Sequence, residues 1–127
     1  MSADSSEANR GPRRVLVVED EALLAYSLEE LLIASGFDIA GVANRLEAAL
    51  AIIQLGACDG AILDANLSGV SAGPAALALT ERGLPFVVLS GYPPQRQVSA
   101  FSGAVRLQKP CPPALLIRSL RGIFSSE

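Results

Sequence analysis

The chain has 127 residues, half of them apolar and 18% charged, which fits one domain with its own core and excludes a disordered chain. A formal net charge of −3, with no basic run, excludes the electrostatic footprint of a nucleic-acid binder. There is no histidine, so a histidine-based hydrolase triad, a histidine-ligated metal and a phosphohistidine on this chain are all excluded.

Residues 1–12 are polar, have no apolar h-region and read as a flexible tail ahead of a domain over 13–125. No apolar run approaches the ~18 residues of a membrane span, so no membrane association is expected. Cys58 and Cys111 match no zinc or redox spacing and read as free thiols of a cytoplasmic protein.

Arg14–Glu19 reads as a short buried strand. From Glu21 to Ser35 the period becomes helical, with Leu24, Leu28, Leu31 and Leu32 on one face and Gly36 closing the helix. Asp38–Ala43 is a second strand. Asn44 is expected to cap a helix running to about Leu55, with Leu46, Leu50 and Ile53 inward. Ala61–Asp64 is a third strand, and Asn66 to Gly73 a loop. Pro74 suits the first turn of a helix that Gly83 ends. Phe86–Ser90 is a fourth strand, followed by a short helix within Gln95 to Phe101. Ala104–Leu107 is a fifth strand. Pro112 and Pro113 start a last helix with Leu116, Leu120, Ile123 and Phe124 inward.

Five apolar strands alternating with five helices predict an α/β fold: a doubly wound parallel sheet covered on both faces. Such a sheet places its site at the carboxyl ends of the strands. There the sequence puts Glu19 and Asp20 after the first strand, Asp64 at the end of the third, Ser90 at the end of the fourth and Lys109 just past the fifth. Three carboxylates that close repel one another by several kcal/mol at an effective dielectric of ~20, so a cation must relieve them. The donors are hard oxygens, which suits Mg²⁺. Asp20 and Asp64 could bind it directly and Glu19 through a water. Lys109 and the Ser90 hydroxyl would hold the oxygens of a phosphoryl group.

The stretches VLVVEDE, AILDANLSG, PFVVLSGY and LQKP, in this order and spacing, resemble the receiver domain of bacterial two-component response regulators over about Arg13 to Phe124. The resemblance implies a flavodoxin-like (βα)5 fold with strand order 2-1-3-4-5. It implies Asp64 as phosphoacceptor, Glu19 and Asp20 as the Mg²⁺-binding acidic pair, and the Asn66 backbone carbonyl as a further metal ligand. It also implies Ser90 as the switch hydroxyl, Lys109 as the conserved-type lysine, Pro110 at a cis-proline position and Gly91 as the space beside the phosphate. PFVVLSGY is similar to a subgroup with a Thr-Gly-Tyr-like stretch after the fourth strand, often stand-alone and paired with divergent histidine kinases.

The chain departs from the family pattern in three places. Arg106 stands where an aromatic usually precedes the lysine by three residues, so Tyr92 is expected to replace that aromatic in part. The acceptor loop reads Leu67-Ser68-Gly69 in place of Leu-Pro-Gly. The fourth helix region is short and flanked by prolines.

The function implied is a stand-alone response regulator. A sensor histidine kinase or phosphotransfer protein donates the phosphoryl group, and a downstream protein reads it, or the chain serves as a phosphate sink. It would be a monomer or a weak phosphorylation-dependent dimer, and would catalyse only its own phosphorylation and dephosphorylation. Two other readings compete: a degenerate receiver acting as a phosphorylation-independent interaction module, and a phosphohydrolase with an aspartyl-phosphate intermediate. The second lacks a carboxylate two residues after Asp64, where Asn66 stands.

Overall fold

Val15 to Val18 are all apolar because their strand has no solvent face. In the computed structural model, which describes residues 11–91 and 99–125, this strand is β1 (Arg14–Val18), near the middle of a five-stranded parallel sheet. It pairs with β2 (Asp38–Ala43) on one side and β3 (Gly60–Asp64) on the other. A two-residue pair, β4 (Asn66–Leu67) and β5 (Val70–Ser71), forms a separate antiparallel hairpin. The main sheet continues with β6 (Phe86–Ser90) and ends at β7 (Val105–Gln108). Its order is β2-β1-β3-β6-β7. Counted within that sheet alone, the order is 2-1-3-4-5.

Four α-helices stand among the described residues: α1 (Ala22–Ala34), α2 (Leu46–Gln54), α3 (Gly73–Glu81) and α4 (Pro113–Ser125). Alternation along the strands splits the core into two layers. Leu16, Val18, Leu63 and Val88 pack with Ala49, Ile53, Ala76 and Leu79 of α2 and α3. Val15, Val17, Ile62 and Val87 pack with Leu28, Leu32, Leu116 and Leu120 of α1 and α4. Among the described residues no helix is long and apolar enough to cross a membrane.

The structure corrects the sequence reading at several joints. The cap of α2 is Arg45, in extended conformation and without a side-chain cap bond, so Asn44 does not fill that role. The expected fourth helix, within Gln95 to Phe101, is among the described residues a single 3-10 turn at Ser99–Phe101, which buries Phe101 against the α2–α3 layer. Val105–Gln108 replaces the expected Ala104–Leu107, because the parallel register with β6 carries pairing on to Ser90 and Gln108. The segment Asn66 to Gly73 is not all loop, since it contains the β4–β5 hairpin. Tyr92 and the start of the expected fourth helix lie outside the described residues.

Gly60 seats the last helix. A Cβ there would lie 2.7 Å from Phe124 Cζ and 2.8 Å from the Pro85 carbonyl oxygen. The ring can yield a little; the backbone oxygen of the adjoining segment cannot. Gly60→Ala is therefore expected to cost about 1–3 kcal/mol, the usual penalty for overpacking, read as a lower urea midpoint with an unchanged slope.

Candidate functional site

The carboxyl ends of β1, β3, β6 and β7 meet at one edge of the sheet, and the chemistry-bearing side chains stand there. Glu19 directly follows β1 and is 2% exposed. Its backbone N–H donates to the Ala43 carbonyl at 3.0 Å, which ties the end of β1 to β2. Asp64 is the last residue of β3 and is 7% exposed. Asp20, one residue further out than Glu19, is half-buried. One carboxylate oxygen from each of Glu19, Asp20 and Asp64 lies within 4.8 Å of the others.

Lys109 answers this charge. Its Nζ lies 3.3 Å from Glu19 Oε1, 90 residues away in sequence, and 3.3 Å from Asp64 Oδ2. The lysine is set in place by its own backbone, whose N–H donates to the Ser90 carbonyl at 2.7 Å, and the following Lys109–Pro110 peptide is cis. Ser90 ends β6 and is 1% exposed. It sits one register step beyond Leu89, the partner of Asp64. A Cβ at Gly91 would meet open space among the described residues.

The β4–β5 hairpin closes the site from one side. The Asn66 N–H donates to Asp64 Oδ1 at 3.3 Å. Asn66 stands opposite Ser71, while the Ala72 N–H donates to the Ala65 carbonyl one step along. Asn66 is thus at a non-hydrogen-bonded position, where a residue's N–H and C=O both turn away from the partner strand. Its carbonyl consequently faces the same side as the N–H that reaches Asp64. At the tip, Ser68 (φ 53°) and Gly69 (φ 91°) both take left-handed backbone, the signature of a type I′ turn. Proline, with φ fixed near −65°, could not occupy position 68 in this turn. The Ser68 hydroxyl donates to Asp20 Oδ2. Sequence reading noted Ser68 only as a departure from the family loop and missed this contact.

The electrostatics follow from burial. Desolvation is the largest influence on Glu19 and, with the like charge of Asp64, pushes it up to about 7 from 4.5. The Glu21 N–H, donating to Glu19 Oε2 at 3.1 Å, and the Lys109 ammonium only partly offset this. Asp20 is held below the usual carboxylate range, first by the Ser68 hydroxyl. Burial alone would lower Lys109, but the charges of Asp64 and Glu19 outweigh it and hold the ammonium above its ordinary value.

A raised carboxylate stabilises the fold below its unfolded pKa, and that contribution is lost as pH rises through the folded value. Metal-free protein is thus expected to lose up to about 3 kcal/mol between about pH 4.5 and pH 8 through Glu19. Denaturant midpoints measured across that range in chelator check it, and Glu19→Gln should flatten the profile.

The donor set fits a hard divalent cation: three clustered carboxylates, with neither sulfur nor imidazole among them. Glu19, Asp20, Asp64 and Lys109 are in mutual reach, and Asn66 and Ser90 adjoin them. Arg106 is exposed and lies opposite Val88 on β7.

No protein-family model matches the chain. Over 96 residues it is 33% identical to the transcriptional regulatory protein PdtaR of Mycobacterium tuberculosis, a match covering 72% of this chain and 46% of PdtaR. The chain thus spans about half the length of that curated relative. It is 34% identical to the solution structure of SdrG from Sphingomonas melonis Fr1, with TM-score 0.76, covering 89% of this chain and 97% of SdrG. The signal receiver domain of a modulated diguanylate cyclase from Desulfovibrio desulfuricans G20 is 26% identical, with TM-score 0.77, over 91% of this chain and 95% of that one. With the fold, the strand-end acids and these relatives in agreement, the chain belongs to the response regulator receiver domains.

Proposed function

We propose that Asp64 accepts a phosphoryl group from the phosphohistidine of a sensor histidine kinase or phosphotransfer protein, in a Mg²⁺-dependent reaction. The observation that carries this is the Lys109 ammonium 3.3 Å from both Asp64 and Glu19, with Asp20 in the same cluster. Asp20, Asp64 and the Asn66 carbonyl would hold the cation directly, and Glu19 through a water. When bound, Mg²⁺ shields the charge that spreads over the transferring phosphoryl oxygens.

The chain's own residues supply the rest. An Asp64 carboxylate oxygen forms the new bond to phosphorus as the phosphorus–nitrogen bond to the donor imidazole breaks, leaving the donor histidine without its phosphoryl group. The Asn66 N–H fixes Asp64 while it attacks. Lys109 exchanges a carboxylate partner for a phosphoryl oxygen and so keeps its charge matched. Ser90 donates its hydroxyl to another. Water later hydrolyses the acyl phosphate at the same place, so the only reactions catalysed are the chain's own phosphorylation and dephosphorylation.

The added charge and acceptor oxygens bias a two-state surface toward a downstream protein. A cytoplasmic, stand-alone mode of action is part of this proposal; the free thiols Cys58 and Cys111 favour the cytoplasm. The PFVVLSGY stretch favours a kinase of the divergent class as donor. Incubation with a small acyl phosphate and Mg²⁺, followed by intact mass, tests the reading. A gain of one PO₃ with Mg²⁺ and none with chelator is expected; no gain in either sinks it.

A further inference from the structure

We propose that Ser68 is a positioning residue for the cation: its hydroxyl holds Asp20 in the orientation a divalent ion requires. The inference rests on the Mg²⁺-dependent reading above and goes beyond it by assigning a role to the acceptor loop's departure from the family pattern.

The contact is built by the fold. Ser68 and Asp20 are 48 residues apart, and the β4–β5 hairpin brings them together. Its base touches one acid, through the Asn66 N–H on Asp64 Oδ1, and its tip touches another, through the Ser68 hydroxyl on Asp20 Oδ2. The tip is fixed from within by the Gly69 N–H, which donates to Asn66 Oδ1 at 2.6 Å. One small hairpin therefore spans the gap between the ends of β1 and β3.

Left-handed backbone is uncommon at a residue that carries a side chain, and glycine would hold φ 53° without strain. A serine there keeps a conformation that only its surroundings enforce, and what it gains is a hydroxyl at the mouth of the site. Asp20 needs such a partner more than Glu19 or Asp64 does. Those two are buried and share Lys109, whereas Asp20 is only half-buried and stands at the rim.

The hydroxyl does not block the site. An ionised carboxylate offers about four lone-pair positions, and Ser68 occupies one. The others stay available to a metal, and the rotamer is chosen before the ion arrives. Hydrogen-bond partners of ligating carboxylates typically contribute 10–100-fold in metal affinity.

The test is a calorimetric Mg²⁺ titration without phosphodonor, on wild type, Ser68→Ala, Ser68→Gly and Ser68→Asn, with a thermal melt of each in chelator. Ser68→Gly relaxes the backbone and removes the hydroxyl, so its melting temperature should equal or exceed wild type while its Kd for Mg²⁺ rises about 10–100-fold. Ser68→Ala should weaken binding similarly. Ser68→Asn tolerates positive φ and offers an amide N–H, so it should recover most of the affinity. A merely structural role would make affinity follow stability across the series, and that result overturns the proposal. So does unchanged or tighter Mg²⁺ binding in Ser68→Ala and Ser68→Gly, the latter meaning that the hydroxyl competes with the ion. Wild-type protein that takes up no Mg²⁺ overturns both this inference and the reading beneath it, whereas intact wild-type binding with unchanged variants overturns this inference alone.

Discussion

The Asp64→Asn protein is expected to fold and yet to gain no mass when incubated with a small acyl phosphate and Mg²⁺. The amide keeps the shape of the carboxylate but removes the anionic oxygen that attacks phosphorus. Loss of a nucleophile is not made good by its surroundings, so incorporation should fall by at least ~10³-fold. Folding should survive for a specific reason. Glu19 is pushed up to about 7 in part by the charge of Asp64, and removing that charge relieves it. Melting in chelator at pH 8 should therefore be no lower than in wild type. A folded Asp64→Asn protein that takes up label as wild type does would remove Asp64 from the reaction.

The second large effect is expected at Lys109. Truncation in Lys109→Ala leaves Glu19 and Asp64, both buried, without the ammonium that bridges them at 3.3 Å. Breaking a fully buried pair costs 3–5 kcal/mol, and because the lysine side chain keeps 28% exposure the expected cost here is about 2 kcal/mol. The defect should depend on pH in a definite direction. Below about pH 5 Glu19 is protonated and needs no cation; without the ammonium it is pushed up further than in wild type, so the loss grows as pH rises through 7 and beyond. Mg²⁺ should restore part of the stability at pH 8, since it supplies positive charge to the same oxygens. Phosphoryl uptake should fall by about 10²-fold or more, as when one donor to a developing charge is removed. Melting curves at pH 5 and pH 8, with and without Mg²⁺, check the first part. A defect of equal size at both pH values would mean that the charge of Glu19 plays no part in it.

The sequence revealed some of this well and some of it not at all, for physical reasons. A strand buried on both faces has to be apolar throughout, so Val15 to Val18 and Phe86 to Leu89 are read directly. An acidic pair at the end of one such run could be a solvated strand end; Glu19, Asp20 and Asp64 stand out because Ser90 and Lys109 fall at the ends of the neighbouring strands. Boundaries were less legible. Arg45, and not Asn44, precedes the second helix without any side-chain cap, so the usual capping signal misleads there. The hairpin at Asn66–Ser71 was hidden because its turn puts a serine where glycine or asparagine would announce left-handed backbone. The Ser68–Asp20 and Lys109–Glu19 contacts join residues far apart in the chain, and no local period encodes such meetings. Glu19 was legible as an acid at the site; how strongly burial holds its proton was not.

One feature of the sheet bears on behaviour at high concentration. Among the described residues the terminal strand β7 has a bonded neighbour on one side only, so it offers a row of backbone groups on which a second molecule could grow. It spans Val105–Gln108, carries exposed Arg106 and exposed Gln108, and is followed within two residues by Pro110. So brief a rim, with a guanidinium on it and a residue lacking an N–H just past its end, works against strand-by-strand addition at this edge of the sheet.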